Sequence, residues 1–333
     1  MKNRSRLWLG LAYLGLLLTV SQAVPAQVCL TSTDMDDATR AALTNTARKL
    51  YDMVARADTS ALQQNSIPSV AANFSGIENA IKGNQASLSG GQATVRPPFL
   101  LKAEGSAPIE RAEFLCGVFG SNGQTANSSI FVLSNLPPGT YGIVTLDVDS
   151  ATPYMVSFVL QQQGNDWKLG GYYAKPRQAA GHDGEWFAAR AREFKSKGQT
   201  RNAWFYFVEA RDLLTPVAFM ATQSTDKLFD EMQPLKPSDL PVDGPIDLTA
   251  GGKSYQLTTM FPMVAGSELD LVVKYQAADI SNTAQTYQAN VALIKALVAK
   301  YPELRDAFAG VVARAVTPSG QDYGSLVAMK DVK

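Results

Sequence analysis

The fold of the first half of the chain is decided by residues 154–173, which read Tyr154-Met-Val-Ser-Phe-Val-Leu-Gln-Gln-Gln-Gly-Asn-Asp-Trp-Lys-Leu-Gly-Gly-Tyr-Tyr173. Two runs rich in β-branched and aromatic residues flank Gly164-Asn-Asp166, a trio that tolerates the positive φ of a tight turn. The pattern therefore predicts a hairpin of strands Tyr154–Gln163 and Trp167–Tyr173.

Further strands precede this hairpin, and helices precede the strands. Helical spacing of apolar residues begins near Thr33 and recurs as far as Ile81. The strand-like runs are Thr94–Leu101, Glu113–Phe119, Ser129–Leu136 and Thr140–Val148. Helices followed by hairpins indicate an α+β fold. We therefore expect residues 27–176 to form N-terminal helices packed on one curved antiparallel sheet.

This block resembles the nuclear-transport-factor-two-like superfamily, the cystatin-like cone that includes the SnoaL-like proteins. The likeness rests on a long first helix ending at Ala57-Asp58, on the apolar Leu62, and on the closing strand Asp166-Trp-Lys-Leu-Gly-Gly-Tyr172. It covers less than half of the chain. It implies a cone that holds a small apolar ligand, forms a homodimer through its sheet, or performs acid–base catalysis.

If the cone is catalytic, the resemblance implies an acid or a tyrosine inside its pocket. The candidates are Asp147, Tyr141, Tyr154 and Tyr172. Along Tyr141–Asp149 the side chains alternate between two faces, and the face that carries Asp147 is the polar one. We therefore expect Asp147 on a solvated surface, and the question of an enzyme stays open.

The sequence contains few of the residues and motifs that histidine-based catalysis or nucleotide binding requires. The only histidine, His182, lies in a glycine-flanked segment, so neither an oriented Ser-His-Asp triad nor a multi-histidine zinc site is expected. Phosphate-loop, dinucleotide and nucleophile-elbow motifs are missing. We predict no cofactor and no metal, while an enzyme that uses two carboxylates stays open.

The rest of the chain divides into three parts. Residues 177–233 form a helical hairpin segment, whose portion at about residues 185–216 resembles a single tetratricopeptide unit turning at Lys197-Gly-Gln199. Residues 234–245 are a proline-rich linker. Residues 246–333 predict a C-terminal α+β domain with the helix Thr283–Lys300 on a sheet, and no family is assigned to it. The stripe Tyr287, Val291, Ile294 and Val298 is expected to face that sheet.

The N-terminus has the pattern of a secretory signal peptide over residues 1–26. Basic residues precede an apolar run from Leu7 to Val20, which is shorter than the about 20 residues that a membrane span requires. Cleavage is expected after Ala26, with Ala23 as the alternative. Gln27 and Val28 do not fit a lipidation motif at Cys29. The prediction is a periplasmic or secreted protein without a membrane span after cleavage.

Charge and cysteine content add two expectations. The 30 basic and 30 acidic residues of the chain become an excess of three acidic residues once Lys2, Arg4 and Arg6 leave with the leader, so nucleic acid is not an expected partner. Cys29 and Cys116 are the only cysteines. Two alternatives stay open: a disulfide formed after export, or two free thiols with Cys116 buried.

These observations lead to one main functional hypothesis and two alternatives. The main hypothesis is an exported, non-catalytic binding protein of the cell envelope, whose cone domain binds a small apolar ligand or a protein partner. The first alternative is a SnoaL-like enzyme with acid–base chemistry in the cone. The second is a structural protein of envelope assembly.

Overall fold

The computed structural model describes residues 27–118 and 123–333. The proposed signal peptide and Phe119 lie outside the described residues. The helices are α1 Asp37–Ala55, α2 Thr59–Gln64, α3 Pro68–Ala71, α4 Ser75–Leu88, α5 Gly184–Ser196, α6 Thr200–Leu214, α7 Gln223–Met232 and α8 Thr283–Lys300. The strands are β1 Gln27–Leu30, β2 Gln92–Val95, β3 Phe99–Ala103, β4 Ile109–Cys116, β5 Ser129–Leu136, β6 Gly139–Asp149, β7 Tyr154–Gln163, β8 Asp166–Pro176, β9 Gln178–Ala179, β10 His182–Asp183, β11 Met220–Thr222, β12 Ile246–Ala250, β13 Lys253–Ala265, β14 Glu268–Gln276, β15 Gly310–Val316 and β16 Asp322–Ala328.

Residues 27–176, which we call the first unit, contain an antiparallel sheet in the order β1-β3-β6-β7-β8, with β2 beside the other end of β6. The run expected as one strand over Thr94–Leu101 is split into β2 and β3. The break falls at Arg96-Pro-Pro98, because a proline has no N–H to donate to the ladder. The hairpin expected at residues 154–173 is present as β7 and β8.

One face of this sheet is covered by α1, α2 and α4, while the short helix α3 lies beside the edge strand β8. Val144, Leu146 and Val148 of β6 are fully buried in a core that includes Leu43 of α1. Gly142 allows this close packing, because a Cβ at that position would overlap the side chain of Leu43. The expected layer of helices on an antiparallel sheet is therefore confirmed.

A second sheet covers part of the opposite face. It has the order β11-β5-β4, so the hairpin β4–β5 leaves the first sheet and pairs with a short strand from the middle of the chain. Phe114 and Phe131 of this sheet pack against Tyr141 and Ile143 of β6. The sequence predicted one curled sheet for these strands, whereas the structure divides them between two sheets.

The second half of the chain shares a single hydrophobic core. The helices α5 and α6 form the expected hairpin and pack together with the sheet β12-β13-β14-β15-β16 and with α8. Leu235 and Leu240, from the segment expected as a linker, are buried in the same core. The α+β class is confirmed in both halves, while the proposed domain boundaries stay predictions.

Helix α8 has the predicted bounds, and its buried face agrees in part with the predicted stripe. Tyr287 is 51% exposed, whereas Asn290, Leu293 and Leu297 are buried against the sheet. Ile294 and Val298 of the expected stripe are buried as predicted and Val291 is half-buried, so the error is confined to Tyr287, which was counted as part of the apolar face. Asn290 is satisfied there, since it accepts from the Tyr275 hydroxyl at 2.8 Å and donates to Ser325 at 2.9 Å.

Within residues 27–118 and 123–333, none of the helices combines the length and the apolar character needed to cross a membrane.

Candidate functional site

A groove of about 490 Å³ lies where the second sheet partly covers the first, and we call it the inter-sheet groove. Its floor is the face of β6, β7 and β8 that the helices do not cover. Its walls are β5, the residue before β11, and the chain around α3. The lining residues are Ile67, Ser69, Val70, Val132, Leu133, Ser134, Leu136, Pro137, Tyr141, Val159, Gln161, Gly170, Tyr173 and Phe219.

Backbone irregularities shape the floor of the inter-sheet groove. Val159 pairs with Gly171 and Leu160 with Leu169, which leaves Gly170 as the extra residue of a β-bulge. A bulge bends its strand and changes the direction of neighbouring side chains. Gly170 faces the groove without a side chain, so the bulge leaves space there.

The wall formed by α3 is tied to β8 by two backbone hydrogen bonds. The Leu169 N–H donates to the Asn65 carbonyl at 2.8 Å, and the Ile67 N–H donates to the Leu169 carbonyl at 2.9 Å. Pro68 follows at the first position of α3, where its missing N–H costs nothing. These contacts place Ile67 and Val70 beside the groove.

The opposite wall depends on a contact between distant parts of the chain. The Val132 N–H of β5 donates to the Phe219 carbonyl at 2.9 Å. The Phe219 ring packs edge-on against Tyr173 with centroids 5.5 Å apart. Tyr173 is nevertheless 44% exposed. Two aromatic rings therefore form an accessible apolar rim, a type of surface that binding sites use.

Among the described residues, the polar side chains on the lining of the groove are those of Ser69, Ser134, Tyr141, Gln161 and Tyr173. The Tyr141 hydroxyl donates to the Pro137 carbonyl at 2.7 Å, and the Gln161 amide approaches the same hydroxyl at 3.5 Å. Burial raises the pKa of Tyr141 and that of Tyr173, so both phenols are neutral at ordinary pH. The groove therefore offers an apolar surface with neutral hydrogen-bonding groups at one side.

The four catalytic candidates do not meet in one pocket. Tyr141 lines the inter-sheet groove, but Tyr154 and Tyr172 lie on the face covered by the helices. The Tyr172 hydroxyl is buried and has no hydrogen-bond partner among the described residues. Burial, together with the nearby Tyr154 and Tyr51, raises the pKa of Tyr172 strongly.

Asp147 is not a freely solvated residue, which corrects the expectation for its face. Arg96 binds its two carboxylate oxygens through Nε at 2.9 Å and Nη2 at 2.7 Å. Arg177 lies 3.4 Å from the same carboxylate. On the same face of β6, Thr145 is buried and hydrogen-bonded to Ser157 at 2.9 Å. A bidentate ion pair fixes the relative position of its two side chains. Asp147 therefore links β6 to the neighbouring segments that carry Arg96 and Arg177, and it is not a free acid.

Cys29 and Cys116 form a disulfide, which selects one of the two alternatives left open by the sequence. Their Cα atoms are 5.1 Å apart, within the usual range for a disulfide. The bond joins β1, at the edge of the first sheet, to β4 of the second sheet. It therefore holds together the two sheets that form the groove.

His182 belongs to the short strand β10, which leads directly into α5, and not to an isolated linker. Its ring stacks on Trp186 with centroids 3.7 Å apart and planes inclined by 8°. Asp183 caps the helix by accepting from the Trp186 N–H at 2.9 Å. Among the described residues, no group of three histidine, cysteine or acidic side chains is placed so that it could hold a metal ion.

Sequence reasoning missed Phe219 and Glu209. Phe219 gave no local signal, because only the pairing of β11 with β5 brings it to the groove. Glu209 did give a local signal in the sequence. It falls three residues after Tyr206 and four before Leu213, and both of these residues are buried on α6. An acid beside the apolar stripe of a helix indicates a carboxyl group with reduced access to water, and the Glu209 side chain is partly buried.

The chain matches no protein-family model, no curated protein and no solved structure. The fold and its clefts are therefore the basis for any statement about function.

Proposed function

We propose that this chain is an exported, non-catalytic binding protein whose inter-sheet groove takes a small apolar ligand. The observation that carries the proposal is the apolar groove itself, with Phe219 and Tyr173 at its rim. Its volume of about 490 Å³ falls within the range of about 300–1,000 Å³ usual for small-molecule sites.

The chemistry of the lining supports an apolar ligand more than a charged one. No lysine, arginine, aspartate or glutamate lines the groove in the described part of the chain. A ligand with buried charge would leave that charge without a partner, which is costly. The hydroxyls of Tyr141 and Tyr173 can instead orient one polar end of an otherwise apolar molecule.

Export is supported by two independent features. The Cys29–Cys116 disulfide fits an oxidising compartment, where such bonds persist. Residues 1–26 have the composition of a signal peptide, with cleavage proposed after Ala26. We accordingly propose a periplasmic or secreted location, and the cone-family resemblance is proposed for the helices and first sheet of residues 27–176.

Acid–base catalysis in the cone is a second candidate, favoured by one observation. The Tyr172 hydroxyl is buried without a partner in the described residues, and such groups occur at functional sites as well as in cores. The candidate has less support than binding, because Tyr141 and Tyr172 lie on opposite faces of the sheet. A Tyr172→Phe variant with unchanged activity on any substrate found for this protein would end it.

The binding proposal is tested with the fluorescent apolar probe N-phenyl-1-naphthylamine. We expect saturable fluorescence enhancement with the mature protein, and at least tenfold weaker binding by Val132→Asp, since the new carboxylate enters the apolar wall. Val28→Asp is the matched control, because Val28 is 37% exposed on β1 and does not line the groove. Equal binding by both variants, with circular dichroism showing both folded, would contradict the proposal.

A further inference from the structure

A second cleft, of about 420 Å³, lies where the first unit, the helical hairpin and the C-terminal sheet meet, and we call it the junction cleft. Three separate stretches form it: the end of β8 with the residues after it, one side of α6, and part of β13. The lining residues are Pro176, Gln178, Ala179, Val208, Glu209, Asp212, Leu213, Phe261, Pro262, Met263 and Val264.

The β13 wall of this cleft is open and apolar. Strand β13 pairs with β12 only from Lys253 to Leu257, so the stretch Phe261–Val264 has β14 on one side and the cleft on the other. Val264 is 40% exposed. This wall therefore offers apolar contact area that a ligand can cover.

Glu209 is the unusual feature of the cleft. Its carboxylate receives no hydrogen bond and no salt bridge from residues 27–118 and 123–333, although the side chain is partly buried. Burial, reinforced by the neighbouring negative charge of Asp212, raises the pKa of Glu209 to about 7, and Lys175 opposes the shift. An acid in this state lacks the counter-ion that would stabilise its charged form.

The charges around Glu209 leave one negative charge uncompensated. Lys175, on β8, is engaged by Asp212, since its ammonium group lies 2.9 Å from the Asp212 carboxylate and donates to the Asp212 carbonyl at 2.6 Å. Asp212 shares α6 with Glu209, and the β13 wall contributes no charged side chain. In the part of the chain that the structure describes, two carboxylates therefore face one ammonium group.

We propose that the junction cleft binds an organic cation, an ammonium group carried on an apolar body, with Glu209 as its counter-ion. The apolar wall of β13 covers the body of the ligand, and the cation occupies the place beside Glu209 that no described side chain fills. This inference is independent of the inter-sheet groove, which shares no lining residue with the junction cleft and has no charged side chain among its described lining residues.

The proposal predicts a specific dependence of affinity on pH. A permanent cation binds the ionised form of Glu209 better, so binding shifts the carboxyl toward its ordinary pKa of 4.5. If the shift is complete, linkage makes the affinity about 25-fold greater at pH 8 than at pH 5.5. The tightening occurs as the pH rises through about 7, because there the free protein loses the proton from Glu209.

Benzyltrimethylammonium is a suitable probe because its charge does not change with pH. Isothermal titration of the mature protein is expected to show tighter binding at pH 8 than at pH 5.5, and 3-phenylpropan-1-ol, an uncharged probe of similar size, is expected to show no such change. Glu209→Gln should weaken binding of the cation at pH 8 at least tenfold and abolish its pH dependence. Glu193→Gln, at a site on α5 that is 56% exposed, is the matched control and should behave as the wild type.

Three results would overturn the proposal. They are the absence of benzyltrimethylammonium binding to the wild type at pH 8, an affinity that is independent of pH, and unchanged binding by Glu209→Gln. The wild-type pH series does not depend on the folding of any variant. Because the inter-sheet groove is probed with an uncharged molecule, failure here leaves the proposed function untouched.

Discussion

Removing the disulfide is expected to destabilise the first unit strongly. Cys29 and Cys116 are 87 positions apart, and the loop that they close contains α1 to α4, β2 and β3. Constraining a loop of this length in the unfolded chain corresponds to about 4.5 kcal/mol in the chain-entropy description. That loss is comparable with the whole stability of many domains, which is about 5–15 kcal/mol.

The assay is chemical denaturation of Cys29→Ala/Cys116→Ala beside the oxidised wild type, with the free energy of unfolding obtained by linear extrapolation. Wild type reduced with a phosphine is the control, because it keeps both cysteine side chains and lacks only the bond. We expect both to lose about 3–5 kcal/mol. If the reduced wild type loses less than about 1 kcal/mol, the idea that the bond holds the two sheets together is refuted.

Two further predictions concern the second half of the chain. Glu209→Gln should raise the free energy of unfolding by about 3 kcal/mol at pH 8 and by little at pH 4. The reason is that the raised folded-state pKa makes ionisation of Glu209 costly only as the pH rises from about 4.5 to 7. Urea unfolding across pH measures this effect, and an equal effect at both pH values would contradict it. Gly184→Ala should lower the free energy of unfolding by about 2 kcal/mol. The reason is that a Cβ at this position would lie 2.9 Å from the Ala210 carbonyl oxygen and 2.5 Å from the Leu214 side chain. Gly83→Ala, in open space on α4, is the control and should raise the free energy of unfolding by about 0.5–1 kcal/mol in the same thermal and urea unfolding experiments. Equal effects of the two substitutions would contradict the close packing of Gly184 against Ala210 and Leu214.

Local patterns in the sequence predicted most individual elements of the fold. The α8 bounds Thr283–Lys300 and the strands Ser129–Leu136 and Tyr154–Gln163 agree with the structure. Each of these segments carries its own signal, either helical spacing or flanking turn residues. Elements that depend on neighbours far along the chain were missed, as the short strand β11 illustrates, since Met220–Thr222 becomes a strand only by pairing with β5.

The candidate sites were harder to predict than the fold because they are assembled from distant segments. The inter-sheet groove needs Ile67, Val132 and Phe219 side by side, and only the tertiary fold brings them together. Alternation along β6 placed Asp147 on the polar face, but it could not reveal the partners Arg96 and Arg177. Alternation along a strand indicates on which face a side chain lies. Whether that face is buried or exposed depends on other elements of the fold.

The position at which an apolar probe binds decides whether the inter-sheet groove is a binding site. Methyl-labelled mature protein is titrated with N-phenyl-1-naphthylamine and followed by nuclear magnetic resonance. We predict shifts of the methyl signals of Val132, Leu133 and Val159, which line the inter-sheet groove, with no change at Val272 or Val311 in the C-terminal sheet. Unchanged signals from Val132, Leu133 and Val159 at saturating probe would contradict the proposal that this groove is the binding site.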